Sequence, residues 1–92
     1  MILLVSYDLK TPNKNYEDLY TTLKTADTWW HYLESTWLLY TANPDGVNEW
    51  QKKIKNIIDD NDNFIVVDIT KQSRNGWLPK KAWDWIRKHE NR

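Results

Sequence analysis

The sequence predicts an α+β domain: one antiparallel sheet carrying two helices, with a third helix appended at the C-terminus. Two short apolar runs of strand length, "ILLVSYDL" and "NFIVVDIT", stand far apart in the chain. Segments with apolar residues at helical spacing follow the first run and precede the second. Between those segments lies "WWHYLESTWLLYT", rich in aromatic and aliphatic residues, too long for one strand and polar at its middle.

"ILLVSYDL" is apolar on both faces, as a central strand covered on both sides requires, and it ends at Asp8. Thr11, Pro12 and Asn13 break it. From Asn15, a plausible N-cap, Tyr16, Leu19, Tyr20 and Leu23 recur at helical spacing, and Glu17 and Asp18 favour the helix N-terminus. The aromatic stretch splits at Glu34-Ser35-Thr36 into two strands of a tight hairpin. Asn43-Pro44 opens a second helix that gathers Val47, Trp50, Ile54, Ile57 and Ile58 on one side and leaves Lys52, Lys53 and Lys55 largely off it. "DDND" closes that helix, and "NFIVVDIT" is the last strand. After the turn pair Asn75-Gly76, Pro79 opens a short helix, "PKKAWDWIRKH".

The order is therefore strand, helix, strand, strand, helix, strand, then a further helix. That is the ferredoxin-like βαββαβ arrangement, with both main helices on one face of the sheet and the first strand central. Asp8, the Ser35-Thr36 turn and "DDND" are then expected to converge on one edge.

Ninety-two residues without an internal repeat or a linker-like stretch read as a single domain spanning 1–92, whose limited core makes homodimerisation a natural extension. With no cysteine, neither disulfides nor thiolate zinc sites are open to the chain. The first residues are too short an apolar run for a signal peptide, no stretch suffices to span a bilayer, and a cytoplasmic location is the default expectation. Thirteen basic and thirteen acidic side chains cancel, unlike the basic surplus of a strongly electrostatic nucleic-acid binder. The balance is uneven along the chain: residues 1–70 carry six Lys/Arg against eleven Asp/Glu, and residues 71–92 carry seven against two.

"VSYDL" before a helix, the "WWHYLESTWLL" hairpin and "NFIVVDIT" together resemble the Cas2-like branch of ferredoxin-like proteins. The "WWHYLESTW" and "LPKKAWDW" segments are similar to the small bacterial and phage proteins called SinR-like, which are distinct from the helix-turn-helix repressor of that name. The resemblance covers nearly the whole chain. It implies a homodimer in which the aspartate ending the first strand, here Asp8, pairs with its symmetry mate to hold Mg²⁺ or Mn²⁺ in a nuclease. Ser35 matches the small polar residue that commonly begins the next strand in that group. Other members of the wider group are structural or binding proteins, so the fold leaves the chemistry open.

The residues themselves bear several readings. An aspartate at the end of a buried strand can ligate a divalent cation that activates water, or simply accept backbone hydrogen bonds in the following turn. His31 has an imidazole suited to general-base or ligand roles, with Ser35 and Thr36 nearby to orient water or phosphate; flanked by Trp30 and Tyr32, it is equally suited to packing. "DDNDN" begins like a calcium loop, but Phe64 stands where that loop needs glycine and Thr70 where it needs glutamate. A phosphate-cradling loop is excluded by the two widely spaced glycines, and no residue pattern supplies the oxyanion hole of a hydrolase triad.

Seven tryptophans exceed what so small a core readily hides. Trp50 and Trp83 lie on apolar helical faces and are expected in the core. Trp29, Trp30, Trp37, Trp77 and Trp85 include candidates for a dimer interface or a base-stacking groove. Trp85 lies about 200° around its helix from Trp83 and shares a side with Lys81 and Lys88, a set suited to nucleic acid or nucleotide, although basic residues there also favour the helix dipole. Two functional expectations follow. One is a homodimeric, Mg²⁺- or Mn²⁺-dependent nuclease acting on RNA or DNA through Asp8, His31, Ser35 and Thr36. The other is a non-catalytic dimer that binds nucleic acid, nucleotide or protein in a CRISPR, phage–host or toxin–antitoxin setting.

Overall fold

The computed structural model describes residues 1–10 and 16–90. Among them are four strands and three helices: β1 (Ile2–Asp8), α1 (Glu17–Leu23), β2 (Thr28–Leu33), β3 (Thr36–Tyr40), α2 (Gly46–Lys55), β4 (Asn63–Asp68) and α3 (Lys80–Glu90). The proposed N-cap Asn15 lies outside the described residues. The strands form one sheet in the order β2-β3-β1-β4 with every neighbouring pair antiparallel, an α+β architecture in which β1 is central.

Strand alternation sends successive side chains to opposite faces, and both faces of β1 are apolar. Leu3, Val5 and Tyr7 point to one side, where Trp37 and Leu39 of β3 join Leu19 and Leu23 of α1 and Trp50 and Ile54 of α2 in the larger core. Ile2 points to the other side, where Trp30, Leu38 and Tyr40 meet Ala82 and Ile86 of α3. The appended helix thus covers part of the second face of the sheet. A cavity of about 190 Å³ remains between α3 and that face, walled by Trp30, Leu33, Leu38 and Trp83 among others.

Three local expectations are corrected. Helix α2 ends at Lys55, so Ile57 and Ile58 pack onto the core from the following turn and not from the helix. Trp83 is half-buried beside the cavity, whereas Trp30 and Trp37 are core residues on opposite faces of the sheet. The acidic run is not merely a solvated turn. Asp62 is buried, and its carboxylate accepts hydrogen bonds from the Lys10 N–H (2.8 Å), the Tyr16 hydroxyl (2.8 Å) and the Asp59 N–H (3.1 Å). No helix among the described residues is long and apolar enough to cross a membrane.

Candidate functional site

The expected convergence at the end of β1 is present. Asp8 is paired across the sheet with Asn63 of β4, and the Tyr7 N–H donates to the Ser35 carbonyl at 3.1 Å in the β2–β3 turn. One residue further, the Thr36 and Ser6 hydroxyls are 3.1 Å apart. Asp8, Ser6 and Thr36 share the sheet face that α3 covers in part. Ser6, Asp8, Asn63, Phe64 and Ile65 border an open hollow of about 320 Å³.

The Asp8 carboxylate is 65% exposed and pairs with Lys10 at 3.3 Å. Among the described residues, no group of three or more His, Cys, Asp or Glu side chains is gathered to hold a metal ion. A divalent cation prefers a shell of oxygens built around one or more free carboxylates. Within one chain, Asp8 is exposed and already paired with Lys10, which is a poor fit to such a shell.

His31 is not brought to this group. Its ring stacks on Trp37 with centroids 4.0 Å apart and planes 14° from parallel, which places it on the α1/α2 side of the sheet, opposite to Asp8. Its Nε2 lies 2.8 Å from the Glu34 carbonyl oxygen; because a carbonyl only accepts, Nε2 carries the proton. The ring is exposed at the sheet edge but held by two contacts. A hollow of about 190 Å³ opens beside it, lined also by Glu17, Tyr20, Lys24 and Trp37.

The third expected group sits on α3. Lys81 and Lys88 are exposed, while Trp85 is half-buried: its indole N–H donates to the Thr28 hydroxyl at 3.1 Å and its ring lies 4.5 Å from that of His89. Thr28 and its partner Tyr40 mark the end of the sheet remote from Asp8. Trp77, in the loop before α3, is the fully exposed tryptophan. Sequence reasoning counted it among the five surplus tryptophans but placed Trp85 ahead of it; the signal that favours Trp77 was its setting in "RNGWLPKK", between turn formers and lysines and off any apolar stripe.

Charge in this segment is sorted by pairing. Glu90 binds Arg74 and Asp84 binds Arg87, so both carboxylates of residues 71–90 are occupied by arginines. Lys71, Lys80, Lys81 and Lys88 supply the remaining positive charge. Comparison with family models, curated proteins and solved structures finds no match for the chain.

Proposed function

We propose that this chain is a homodimeric, nucleic-acid-binding protein of the ferredoxin-like, Cas2-like type. The observation that carries the reading is the pairing just described: once both carboxylates of residues 71–90 are paired with arginines, four lysines leave that segment with a positive surplus, and the same segment holds Trp77, whose whole ring is offered to solvent. A flat exposed indole in a chain segment with surplus positive charge suits a single strand, because every base has a stacking face and every phosphate a charge. The βαββαβ order and the central β1 support the ferredoxin-like assignment. Self-association is supported by Ile65 and Val67, which stand exposed on the edge strand β4 beside a sheet face that α3 covers incompletely.

Fluorescence anisotropy with labelled single-stranded RNA and DNA tests the reading. Binding is expected in chelator, with affinity falling as salt rises. Trp77→Ala is expected to cost about 1–3 kcal/mol, the range for one stacked base, and Lys80→Ala/Lys81→Ala to flatten the salt dependence. Binding that is unchanged in both variants overturns the assignment of this face.

A second reading is favoured by the open hollow at Asp8. It is a Mg²⁺- or Mn²⁺-dependent nuclease whose centre needs Asp8 from two copies, with Ser35 and Thr36 lining the same edge. Cleavage that requires the metal and disappears in Asp8→Ala supports it. A chain that is monomeric by light scattering at micromolar concentration removes it.

A further inference from the structure

We propose that the hollow between α1 and the edge of β2, walled by Glu17, Tyr20, Lys24, His31 and Trp37, is a ribonuclease site that works without metal, with His31 as its general base. The proposal rests on the nucleic-acid reading and adds a reaction and a substrate class to it.

The imidazole is prepared for that task in two ways. Donation from Nε2 to the Glu34 carbonyl fixes the tautomer, so in the neutral ring Nδ1 holds a free lone pair. Stacking on Trp37 fixes the plane, and Trp37 is itself locked, buried, with its indole N–H donating to the Tyr7 hydroxyl at 2.9 Å. A base held by its other nitrogen and backed by a rigid wall keeps one ring orientation, so that little order has to be gained at the moment of reaction.

The surroundings suit a strand of RNA. Lys24 lies on the wall of the hollow and also over the ring of Trp29, 5.7 Å from its centroid. Trp29 is partly exposed and tilts against Trp37 with ring centroids 5.2 Å apart. An exposed indole, an ammonium group and an imidazole therefore succeed one another along a single edge. They offer a stacking face for a base, a charge for its phosphate and a base for the adjoining hydroxyl.

RNA carries its own nucleophile, so no external reactant is needed. Nδ1 of His31 takes the proton of the 2′-hydroxyl as the 2′-oxygen forms its bond to phosphorus. The bond from phosphorus to the 5′-oxygen breaks, and that oxygen leaves with a proton from the Lys24 ammonium group, whose charge also opposes the negative charge built up on the phosphoryl oxygens. The products are a 2′,3′-cyclic phosphate and a 5′-hydroxyl. Solvent then removes the proton from the imidazolium and restores one to Lys24, so the protein ends as it began.

The test is a set of labelled oligonucleotides incubated with the full chain in excess chelator: all-RNA, all-DNA, and DNA with a single ribonucleotide. Expected are cleavage of the first and third, an intact second, and a cyclic phosphate end by mass spectrometry. His31→Ala and the bulkier His31→Gln, each checked for native circular dichroism, should both slow cleavage by about 10²–10⁴-fold, with binding of uncleavable 2′-O-methyl RNA retained. Wild type that binds this RNA but cleaves nothing in chelator overturns the site and leaves the binding reading standing; absence of binding overturns both. Cleavage equal in wild type and both His31 variants, or of all-DNA, overturns the mechanism.

Discussion

The indole N–H of Trp37 donates to the hydroxyl of Tyr7 at 2.9 Å, in the layer between the sheet and helices α1 and α2. Both side chains are buried, so the bond satisfies two polar groups that water does not reach. It ties β3 to β1 beside the position where His31 rests on Trp37, and so connects the core to the edge hollow.

Tyr7→Phe is therefore expected to cost about 1–3 kcal/mol at neutral pH, because the indole N–H is left buried without an acceptor. Burial also pushes the Tyr7 hydroxyl above its ordinary value of 10.0, partly offset by the Trp37 bond. A raised value in the fold means that the unfolded chain ionises first. The contribution is present below pH 10 and is lost as pH rises from there through the folded value. Urea titrations across the alkaline limb should show wild type losing stability more steeply than Tyr7→Phe.

Asp62 carries a second prediction. Its carboxylate joins the segment after β1, the start of the α1 region and the turn before β4 through three hydrogen bonds. Asp62→Ala strands those donors at a buried site and is expected to cost about 2–4 kcal/mol. Asp60, two residues away, is fully exposed in its pair with Lys55, and Asp60→Ala should fall within about 0.5 kcal/mol of wild type. Equal urea midpoints for the two variants would show that Asp62 is not the organiser of this edge.

The contrast between these neighbouring aspartates shows what the sequence disclosed and what it withheld. Element order and the convergence of Asp8, the Ser35-Thr36 turn and the "DDND" run on one edge were legible, because period-two and period-3.6 patterns and turn residues are local signals. Which of "DDND" turns inward was not, since it depends on Lys10 and Tyr16, about fifty residues away in the chain. Trp30 and Trp37 were likewise hidden among surplus tryptophans until β2–β3 pairing and α3 docking gave each a face. The separation of His31 from Asp8 has the same origin: within the sheet, face is fixed by cross-strand register, and β2 loses regular register between Trp30 and Leu33.

Gly46 gives a third prediction that opposes simple helix propensity. It is the first residue of α2, where alanine would ordinarily gain up to about 1 kcal/mol over glycine. A Cβ there would meet the Thr41 Cγ2 at 2.6 Å and the Met1 Sδ at 3.3 Å. Thr41 is buried and β-branched, so its methyl has little freedom to withdraw. Gly46→Ala is expected to destabilise by about 1–3 kcal/mol, and Gly46→Ala/Thr41→Ser, which removes the obstructing methyl, should recover most of the loss. A single variant at or above wild-type stability in thermal melts would refute the clash.

The last prediction concerns the strap that holds the Trp77 loop. The Glu90 carboxylate at the end of α3 binds the Arg74 guanidinium and accepts the Lys71 N–H at 3.1 Å, while Arg74 also donates to the Ile69 carbonyl at 2.9 Å. The Arg74 hydrogen bond, aided by the Lys71 N–H, holds the Glu90 carboxyl below its ordinary value of 4.5 against a smaller opposing effect of burial. A depressed value in the fold means that the stabilisation is complete above about pH 4.5, where the unfolded carboxylate is ionised, and drains away as pH falls through the folded value. Glu90→Gln should thus be less stable than wild type at pH 7, and the two should converge in strong acid. Amide exchange separates this from a general surface effect: the Lys71 N–H should exchange faster in Glu90→Gln at pH 7, with the central strand β1 unchanged. Because the same strap anchors the loop carrying Trp77, loosening it is expected to weaken single-strand binding without removing a contact residue, and unaltered affinity in Glu90→Gln would separate the loop's order from its role in binding.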